Sequence, residues 1–360
     1  YAAASIAVLA CLASTVGVAD AAPGNVVVSP EDWKAIEHCL KIIRQCQTKD
    51  GMIRMKGAGD RVWTVPYFSN FAAMAWLAAN DVRPFQQDVG RVERYLAWYA
   101  DNQEADGTIH DLGGTVSSYK STGKRDSTDS YAATFLMAVW RHKRAIEGRP
   151  SPEIVGAARK ALAAIEAVVQ RDGLTIAKPD YPIKFLMDNV EVYGGLHEGA
   201  LFFKSAGLDR EAEKARAMAR RVAAGLAGYW SDEDRCFAYA LDTRGKFSGG
   251  LSKPYPHGLA QLFAVAHITP ARAELWPRLL KRFVPDNDGV PIERWLMAAT
   301  RCAAPEQQQR FRQATRKSML GFTVHNVYVH RPAVAILALI DGGARFPDVP
   351  TGSSRVPRSP

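Results

Sequence analysis

Several features that would point to other classes of protein are scarce in this chain of 360 residues. Few segments alternate apolar and polar residues as half-buried β-strands do. The five cysteines form no Cys-x-x-Cys pair and no cysteine–histidine spacing typical of zinc sites. Lysine and arginine are not interleaved with aromatic residues in a stripe. The sequence therefore argues against a β-rich fold, a structural metal centre and nucleic acid as a partner.

A long apolar run occurs only near the N-terminus. Residues 2–12 are almost wholly apolar, and residues 18–22 contain an Ala-x-Ala cleavage pattern. The run is too short to span a membrane and is followed by a Pro-Gly break. The sequence predicts that residues 1–22 are a signal peptide and that the protein is secreted or periplasmic. No integral membrane segment is expected after cleavage.

The remaining cysteines and the net charge allow two further expectations. Cys39 and Cys46 are seven residues apart on one predicted helix, a rise of about 10.5 Å, which is too far for a disulfide. Together with Cys236 and Cys302 they are predicted to be buried apolar residues. The net charge of +9 is compatible with an acidic glycan or an envelope surface as a partner and singles out neither.

A short turn sequence recurs along the chain. Residues 47–53 (Gln-Thr-Lys-Asp-Gly-Met-Ile) return in similar form at 103–109 and in a shortened form at 170–174, with looser copies at 229–232 and 284–290. Asp-Gly favours a turn because glycine adopts positive φ freely and aspartate bonds its own backbone. A repeat of this regularity indicates one supersecondary unit used many times.

Apolar residues recur at intervals of three and four, which predicts six pairs of helices. The first members are predicted at 31–47, 86–103, 152–170, 209–229, 270–283 and 305–319. The second members are predicted at 66–80, 127–146, 188–206, 255–267, 291–302 and 325–340. The second members carry less charge, as inner helices should. The sequence therefore predicts an all-α fold, an (α/α)6 toroid of six helical hairpins over residues 23–341, followed by a flexible tail at 342–360.

Polar and aromatic residues of unusual density stand near the predicted starts of the second helices. Asp126 and Asp129 are three residues apart, as are Asp188 and Glu191, so each pair shares a helix face. An aspartate at a helix start is commonly a cap, but capping does not account for the second acid of each pair. The other candidates at these starts are Tyr131, Tyr193, Tyr255, His257, Trp295, His325, Asn326 and Tyr328.

This combination fits the cleavage of glycosidic bonds. That reaction needs one protonated acid for the leaving oxygen and one carboxylate that attacks or activates water. Tyrosine and tryptophan supply flat faces for sugar rings. The sequence predicts Glu191 as the general acid, with Asp188 in reserve. It predicts Asp129 as the base or a contact to substrate hydroxyls, with Asp126 beside it, and the aromatic, histidine and asparagine candidates as substrate-binding residues.

Two motifs resemble the six-hairpin glycosidase superfamily, which includes glucoamylases, glycogen-debranching glucosidases and unsaturated glucuronyl hydrolases. Asp-Gly-Thr-Ile at 106–109 followed by Asp-Ser-Thr-Asp at 126–129 is similar to a run in the debranching and glucoamylase-like groups. Asn-Val-Glu-Val-Tyr at 189–193 is similar to their acid-bearing third inner helix. The resemblance implies a toroidal glycoside hydrolase that acts on an oligo- or polysaccharide.

The resemblance has one departure. Glucoamylase-like enzymes carry a catalytic glutamate near the start of the last inner helix, where this sequence has His325 and Asn326. The base would then be Asp126, Asp129 or Glu293. By analogy with the glucuronyl hydrolases, Asp129 could also pair with Asp188.

Two other classes stay open from the sequence. A polysaccharide lyase could use Tyr255, Tyr328 or His325 to remove a proton and Arg331 to hold a uronate. A glycan-binding or assembly protein without activity would explain the missing glutamate. His325, His330, Asp288 and Cys302 form only a vague zinc pattern, so no metal or organic cofactor is expected.

Overall fold

The computed structural model describes residues 28–269, 271–283, 289–341 and 349. The predicted signal peptide, all of the predicted tail except Val349, and Asp288 lie outside these residues. Within the described ranges, no helix combines the length and apolar character needed to cross a membrane.

Twelve α-helices, numbered in chain order, form the described part of the chain. The odd-numbered helices are α1 (Pro30–Cys46), α3 (Gln86–Asn102), α5 (Pro152–Val168), α7 (Asp209–Leu226), α9 (Ala271–Arg282) and α11 (Pro305–Leu320). The even-numbered helices are α2 (Pro66–Val82), α4 (Asp129–Ala145), α6 (Leu186–Ser205), α8 (Leu259–His267), α10 (Ile292–Cys302) and α12 (His330–Asp341). Most bounds agree with the predicted helix pairs to within a few residues.

Contacts between helices close the chain into two concentric rings. The even-numbered helices contact one another in the order α2, α4, α6, α8, α10 and α12, and α12 returns to α2. Helix α1 packs against both α11 and α12, which joins the first hairpin to the last. The predicted all-α (α/α)6 toroid is confirmed.

Burial separates the two rings as the sequence predicts. In α2 every residue from Ser69 to Ala79 is buried, as expected for a helix surrounded by protein. In α11 only Phe311, Thr315 and Met319 are buried, on one face at intervals of four. The odd-numbered helices therefore form the outer ring.

The recurring Asp-Gly turn attaches each of the first three hairpins to the next. Gly51, Gly107 and Gly173 have φ values of 104°, 83° and 87°. A Cβ atom on each would lie 2.0 to 2.4 Å from a backbone oxygen of the following outer helix. These oxygens belong to Arg94 in α3, Lys160 in α5 and Arg221 in α7. Glycine is required both for the positive φ and for the close approach.

Short strands, which the sequence did not predict, brace the segments that lead from outer to inner helices. They are β1 (Arg61–Thr64), β2 (Leu112–Thr115), β3 (Ser118–Ser121), β4 (Lys184–Phe185), β5 (Trp230–Ser231), β6 (Cys236–Phe237), β7 (Ala240–Leu241) and β8 (Phe247–Ser248). The antiparallel pairs β1–β2 and β4–β7 each join two neighbouring hairpins. These strands order the end of the toroid at which the inner helices begin.

Candidate active site

Four carboxyl groups meet where the inner helices α4 and α6 begin. Asp129 is the first residue of α4, and Asp126 lies three residues before it. Asp188 lies in the first turn of α6, and Glu191 lies one turn further on. Burial, followed by the charges that Asp129, Glu191 and Asp126 carry when they are ionised, raises the pKa of Asp188, so the four groups act on one another electrostatically.

Glu191 is buried among the inner helices, with 1% of its surface exposed. Its Oε1 accepts a hydrogen bond of 2.7 Å from the hydroxyl of Tyr67. Its Oε2 is buried and has no hydrogen-bond partner within the described residues. Burial raises the pKa of Glu191 to about 8, although the Tyr67 bond and the charge of Arg294 act to lower it. Glu191 therefore holds its proton near neutral pH.

Asp129 is fully buried and both of its oxygens have partners. Oδ1 accepts from the backbone N–H of Ser130 at 2.8 Å, and Oδ2 accepts from the hydroxyl of Thr175 at 2.7 Å. Thr175 follows the third Asp-Gly turn and is also bonded to Asn189 in α6. Burial raises the pKa of Asp129 to about 7, while these hydrogen bonds lower it. Asp129 thus connects the second hairpin to the third.

Asp188 and Asp126 are the two acids of the cluster that are open to solvent. Asp188 is half-buried and Asp126 is exposed. Across the described ranges neither carboxyl group has a hydrogen-bond partner. Burial, followed by the neighbouring negative charges, raises the pKa of Asp188 well above its ordinary value. Asp188 therefore combines a retained proton with access from outside.

Tyr67, near the start of inner helix α2, also belongs to the cluster; the sequence predicted this helix but did not mark the residue. Besides bonding Glu191, Tyr67 stacks on Tyr131, with the ring centroids 5.9 Å apart. The hydroxyl of Tyr131 donates to Asp111 Oδ1 at 2.9 Å. Burial raises the pKa of Asp111 to about 6. In the sequence, Tyr67 is an aromatic residue at the start of α2. No acid stands beside it, so the sequence did not mark it as a site residue.

The fourth hairpin also reaches the cluster. Tyr255 is 67% exposed, and the charges of Asp126 and Asp188 add to burial in raising its pKa. His257 is half-buried, contacts Tyr239 edge-on at 4.9 Å and has a lowered pKa because of burial. Tyr193 in α6 is buried. The structure thus places Tyr255 beside the predicted acids.

Trp295 does not belong to this cluster. It is fully buried, and its indole lies 6.0 Å from Trp276 in α9 and 6.1 Å from Phe311 in α11. The ring therefore faces the outer helices and offers no surface to a sugar. The prediction of Trp295 as a substrate-binding residue placed it on the wrong face of α10.

The segment 325–328 comes before α12, which begins only at His330. The Asn326 side chain accepts from Thr323 N at 2.8 Å and donates to Gly321 O at 3.1 Å, so it stabilises the turn in which it lies. His325 is exposed, and its carbonyl oxygen accepts from Lys56 Nζ at 3.3 Å. Neither side chain is placed among the four carboxyl groups.

Glu293, a further candidate for the base, is held by an ion pair. Arg331 Nε donates to Glu293 Oε1 at 2.5 Å, and Arg331 Nη2 donates to Oε2 at 3.3 Å. Glu293 is 1% exposed. The pair connects α10 to α12, so the guanidinium of Arg331 is engaged with a buried acid.

Cysteine and metal chemistry have little support in the described ranges. Cys39, Cys46 and Cys236 are buried free thiols, as predicted, whereas the free thiol Cys302 is only half-buried. Burial raises the pKa of the Cys46 thiol to about 12. No group of three or more histidine, cysteine or acidic side chains in the described segments is arranged to hold a metal ion.

The sequence matches no family model and no curated protein sequence. Similar solved structures include a rhamnosidase from Klebsiella oxytoca with bound rhamnose, at 13% identity and a TM-score of 0.60, covering 87% of this chain and 64% of that one. An uncharacterised conserved protein from Thermus thermophilus has 13% identity and a TM-score of 0.58, covering 86% of this chain and 99% of that one. An α-amylase from Clostridium perfringens has 11% identity and a TM-score of 0.55, covering 85% of this chain and 96% of that one.

At these identities the likeness establishes the fold. The chain spans 64% of the length of the rhamnosidase that it matches. The architecture of six helical hairpins, which the repeat and the apolar periodicity predicted, is shared with these solved structures.

Proposed function

We propose that this protein hydrolyses glycosidic bonds of an oligo- or polysaccharide, with Asp188 as the proton donor and Asp126 as the carboxylate that acts on water. The observation that carries the proposal is a cluster of four acids, two of them open to solvent, at the end of the toroid where the inner helices begin. The proteins of like fold that carry the names rhamnosidase and α-amylase support the same class of reaction.

Asp188 suits the role of the acid because its environment disfavours the ionised form of its carboxyl group. Burial and the charges of Asp129, Glu191 and Asp126 all raise its pKa, and no hydrogen bond from the described residues stabilises its charged form. A carboxylic acid that keeps its proton near neutral pH can deliver it to the leaving glycosidic oxygen. Its half-buried position leaves room for that oxygen to approach.

Asp126 suits the role of the second carboxyl group because it is exposed near the same helix starts. A carboxylate there takes a proton from the attacking water, which adds to the anomeric carbon as the leaving oxygen takes the proton of Asp188. Tyr255 lies beside both acids, and its ring provides a flat face for the sugar.

Glu191 and Asp129 are then supporting groups. The sequence predicted Glu191 as the acid. Its Oε2 is buried and its Oε1 accepts a hydrogen bond, so Glu191 is less able than Asp188 to reach a substrate. We propose that Glu191 and Asp129 keep the pKa of Asp188 high, and that Glu191 is the second choice for the donor.

A lyase is less well supported because Arg331, the cation predicted to hold the uronate, is already paired with an acid. Arg331 is bound to Glu293 through two hydrogen bonds and would have to leave a buried acid in order to hold a uronate. One observation favours the alternative of a protein that binds glycan without cleaving it: Glu191 and Asp129 are both closed to solvent.

The test is a glycan array with the purified wild-type protein, followed by product analysis on each glycan that binds. Hydrolysis releases a new reducing end, and the proposal expects this result. A lyase instead produces the ultraviolet absorbance of an unsaturated uronate. Binding with neither product across a wide pH range would overturn the hydrolase proposal in favour of a glycan-binding protein.

We also propose that the protein acts outside the cytoplasm. The apolar run at 2–12 and the Ala-x-Ala pattern at 18–22 support export. Sequencing the N-terminus of the mature protein from its native cells tests this, and a start near residue 23 is expected. An uncleaved apolar run would contradict it.

A further inference from the structure

Aromatic rings form a continuous row that begins at the protein surface. Trp63, in β1 of the first hairpin, contacts Tyr328 of the last hairpin, with centroids 5.6 Å apart. Tyr328 stacks on His330 at 6.3 Å. Trp63 is 48% exposed and Tyr328 is 40% exposed, which is unusual for two large rings in contact.

The row continues inwards to the acids. His330 stacks on Phe68 at 4.3 Å, and Phe68 contacts Tyr67 at 5.0 Å. The hydroxyl of Tyr67 donates to Glu191. We call Trp63, Tyr328, His330, Phe68 and Tyr67 the aromatic wall; its inner three members are half-buried and its outer two are exposed.

His330 interrupts the wall with an imidazole, but it does not add charge at neutral pH. Burial, helped by the charges of Arg294 and Arg331, lowers its pKa to about 4. Its Nδ1 is buried and has no hydrogen-bond partner in the described part of the chain. The neutral ring is therefore stacked with both Tyr328 and Phe68 and links them in one row.

Positive charge surrounds the outer end of the aromatic wall. Lys56 Nζ lies 4.8 Å from the centre of the Tyr328 ring. In the sheet, Trp63 is paired with Gly113, and Gly113 is paired with Lys120, so Trp63 and Lys120 project from the same face. Gly113 between them has no side chain to fill the space.

Arg61 adds a third cation to this face. It lies two residues before Trp63 in β1, and the burial pattern of the strand exposes both residues on the same side. Arg61 and Lys120 are both exposed. An exposed indole flanked by cations offers a stacking face together with charge for an anion.

We propose that the aromatic wall and the cations at its outer end bind an anionic oligosaccharide, with its acidic outer sugars at Trp63 and Lys120 and its inner sugar at the carboxyl cluster. This inference rests on the proposed function in taking that cluster as the reaction centre. The charged groups recognised are uronate carboxylates or sulfate esters. The two sources present the same chemistry to lysine and arginine.

The occupant follows from continuity and from charge. The wall leads from the exposed rings of Trp63 and Tyr328 to Tyr67, which is hydrogen-bonded to the acid cluster. An exposed indole such as that of Trp63 can stack on the apolar face of a sugar. A neutral chain would use the rings but gain nothing from Lys56, Arg61 and Lys120. The net charge of +9 favours the approach of a polyanion to this surface.

The test is isothermal titration of the full chain with three oligosaccharides of equal length: an oligogalacturonide, a sulfated oligosaccharide and a neutral malto-oligosaccharide. At least one anionic chain is expected to bind about tenfold or more tightly than the neutral one. The arm that binds tightly identifies carboxylate or sulfate as the recognised group. Equal affinity for all three chains would overturn the proposal.

Variants localise the binding. Trp63→Ala and Lys120→Gln are each expected to weaken the anionic chain about tenfold, and Trp63→Phe should retain most of the affinity because it keeps a ring. Lys317→Gln, which removes an exposed lysine from outer helix α11, is the charge-matched control and should change nothing. Unchanged affinity in both Trp63→Ala and Lys120→Gln, with normal circular dichroism, would refute the site.

Binding and cleavage are read separately. Tight binding that depends on Trp63 confirms the aromatic wall even if the wild type releases no product, in which case the hydrolase proposal alone fails. Cleavage of a glycan whose affinity does not depend on Trp63 or Lys120 has the opposite meaning, because it supports the hydrolase and contradicts the wall.

Discussion

At the start of α6, two acidic side chains one turn apart have different surroundings. Asp188 is half-buried and has no hydrogen-bond partner in the described residues, whereas Glu191 is closed to solvent and bonded by Tyr67. A residue that must hand a proton to substrate needs access as well as a high pKa. This difference in access, more than the difference in pKa, decides the roles that we propose.

The raised pKa of Glu191 predicts a pH-dependent cost to stability. Burial raises the pKa of the Glu191 carboxyl to about 8 in the folded state, from an ordinary value of 4.5. The folded state therefore binds more protons between these pH values, and stability falls as pH rises through them. Glu191→Gln removes this pH-dependent contribution to stability. Relative to the wild type, the variant should gain roughly 3–5 kcal/mol in unfolding free energy between pH 4.5 and pH 8.5.

Urea denaturation at several pH values measures this change. The gain should be absent below pH 4.5, where the carboxyl is protonated in both states, and complete above pH 8.5. A difference between variant and wild type that does not vary with pH would show that Glu191 titrates normally.

The ion pair of Glu293 with Arg331 gives a second prediction for individual residues. Arg331→Met leaves the charge of Glu293 buried and unpaired, because Glu293 is 1% exposed. The partly exposed arginine moderates the loss, and we expect about 2–3 kcal/mol of destabilisation. Adding Glu293→Gln to Arg331→Met should restore most of it, as measured by thermal or urea unfolding. The Arg331 guanidinium also lies 5.5 Å from the centre of the Phe322 ring. No recovery in the double variant would mean that Arg331 acts through this packing and not through the pair.

Some individual residues could be predicted from the sequence and others could not. Asp188 and Glu191 were found because two acids three apart in an apolar segment are conspicuous. Trp295 was misplaced because α10 is packed on both sides, so helical periodicity cannot tell its inner face from its outer face. Tyr67 carries no sequence signal of its partner, since Glu191 is more than a hundred residues away.

At the scale of elements, the Asp-Gly turns work by contact as well as by conformation. Each of the first three places its glycine against a carbonyl of the next outer helix. A turn sequence alone predicts the positive φ. It does not predict the contact, which depends on where the neighbouring hairpin lies.

Gly107→Ala tests the contact against the conformation. A Cβ at Gly107 would lie 2.0 Å from the oxygen of Lys160, whereas one at Gly59, where φ is also positive, would meet nothing within 4 Å. Gly59→Ala should therefore lower the unfolding free energy only by the cost of holding alanine in the left-handed conformation, about 1–2 kcal/mol. Gly107→Ala should cost at least about 2 kcal/mol more, because the turn must move away from α5. Equal losses in urea denaturation would contradict the proposed docking role of the turn.

The helices were predicted well because most have a periodic apolar pattern and several are bounded by an Asp-Gly turn or a proline. The strands were not predicted because they have two to four residues and exist only through pairing with another hairpin. The last inner helix begins later than predicted, at His330, because residues 323–326 form a turn closed by Thr323 and Asn326.

For the whole molecule, closure of the ring joins the first hairpin to the last. Asp32 in α1 caps its own helix and also accepts from Arg312 in α11 at 2.7 Å, which joins the first hairpin to the last. The same closure brings Trp63 of the first hairpin to Tyr328 of the last. Both the carboxyl cluster and the aromatic wall contain residues that are far apart in the chain, as shown by the Tyr67–Glu191 bond and the Trp63–Tyr328 contact.

The most direct test of the account is the kcat/KM of Asp188→Asn and of Glu191→Gln on the glycan that the wild type cleaves. Loss of the proton donor should lower kcat/KM in Asp188→Asn by about 10²–10⁴-fold while glycan affinity is kept. Glu191→Gln should keep its peak rate within about tenfold, with the alkaline limb of its pH profile moved to lower pH because the pKa of Asp188 falls. Full turnover by Asp188→Asn together with an inactive Glu191→Gln would contradict the account and make Glu191 the acid.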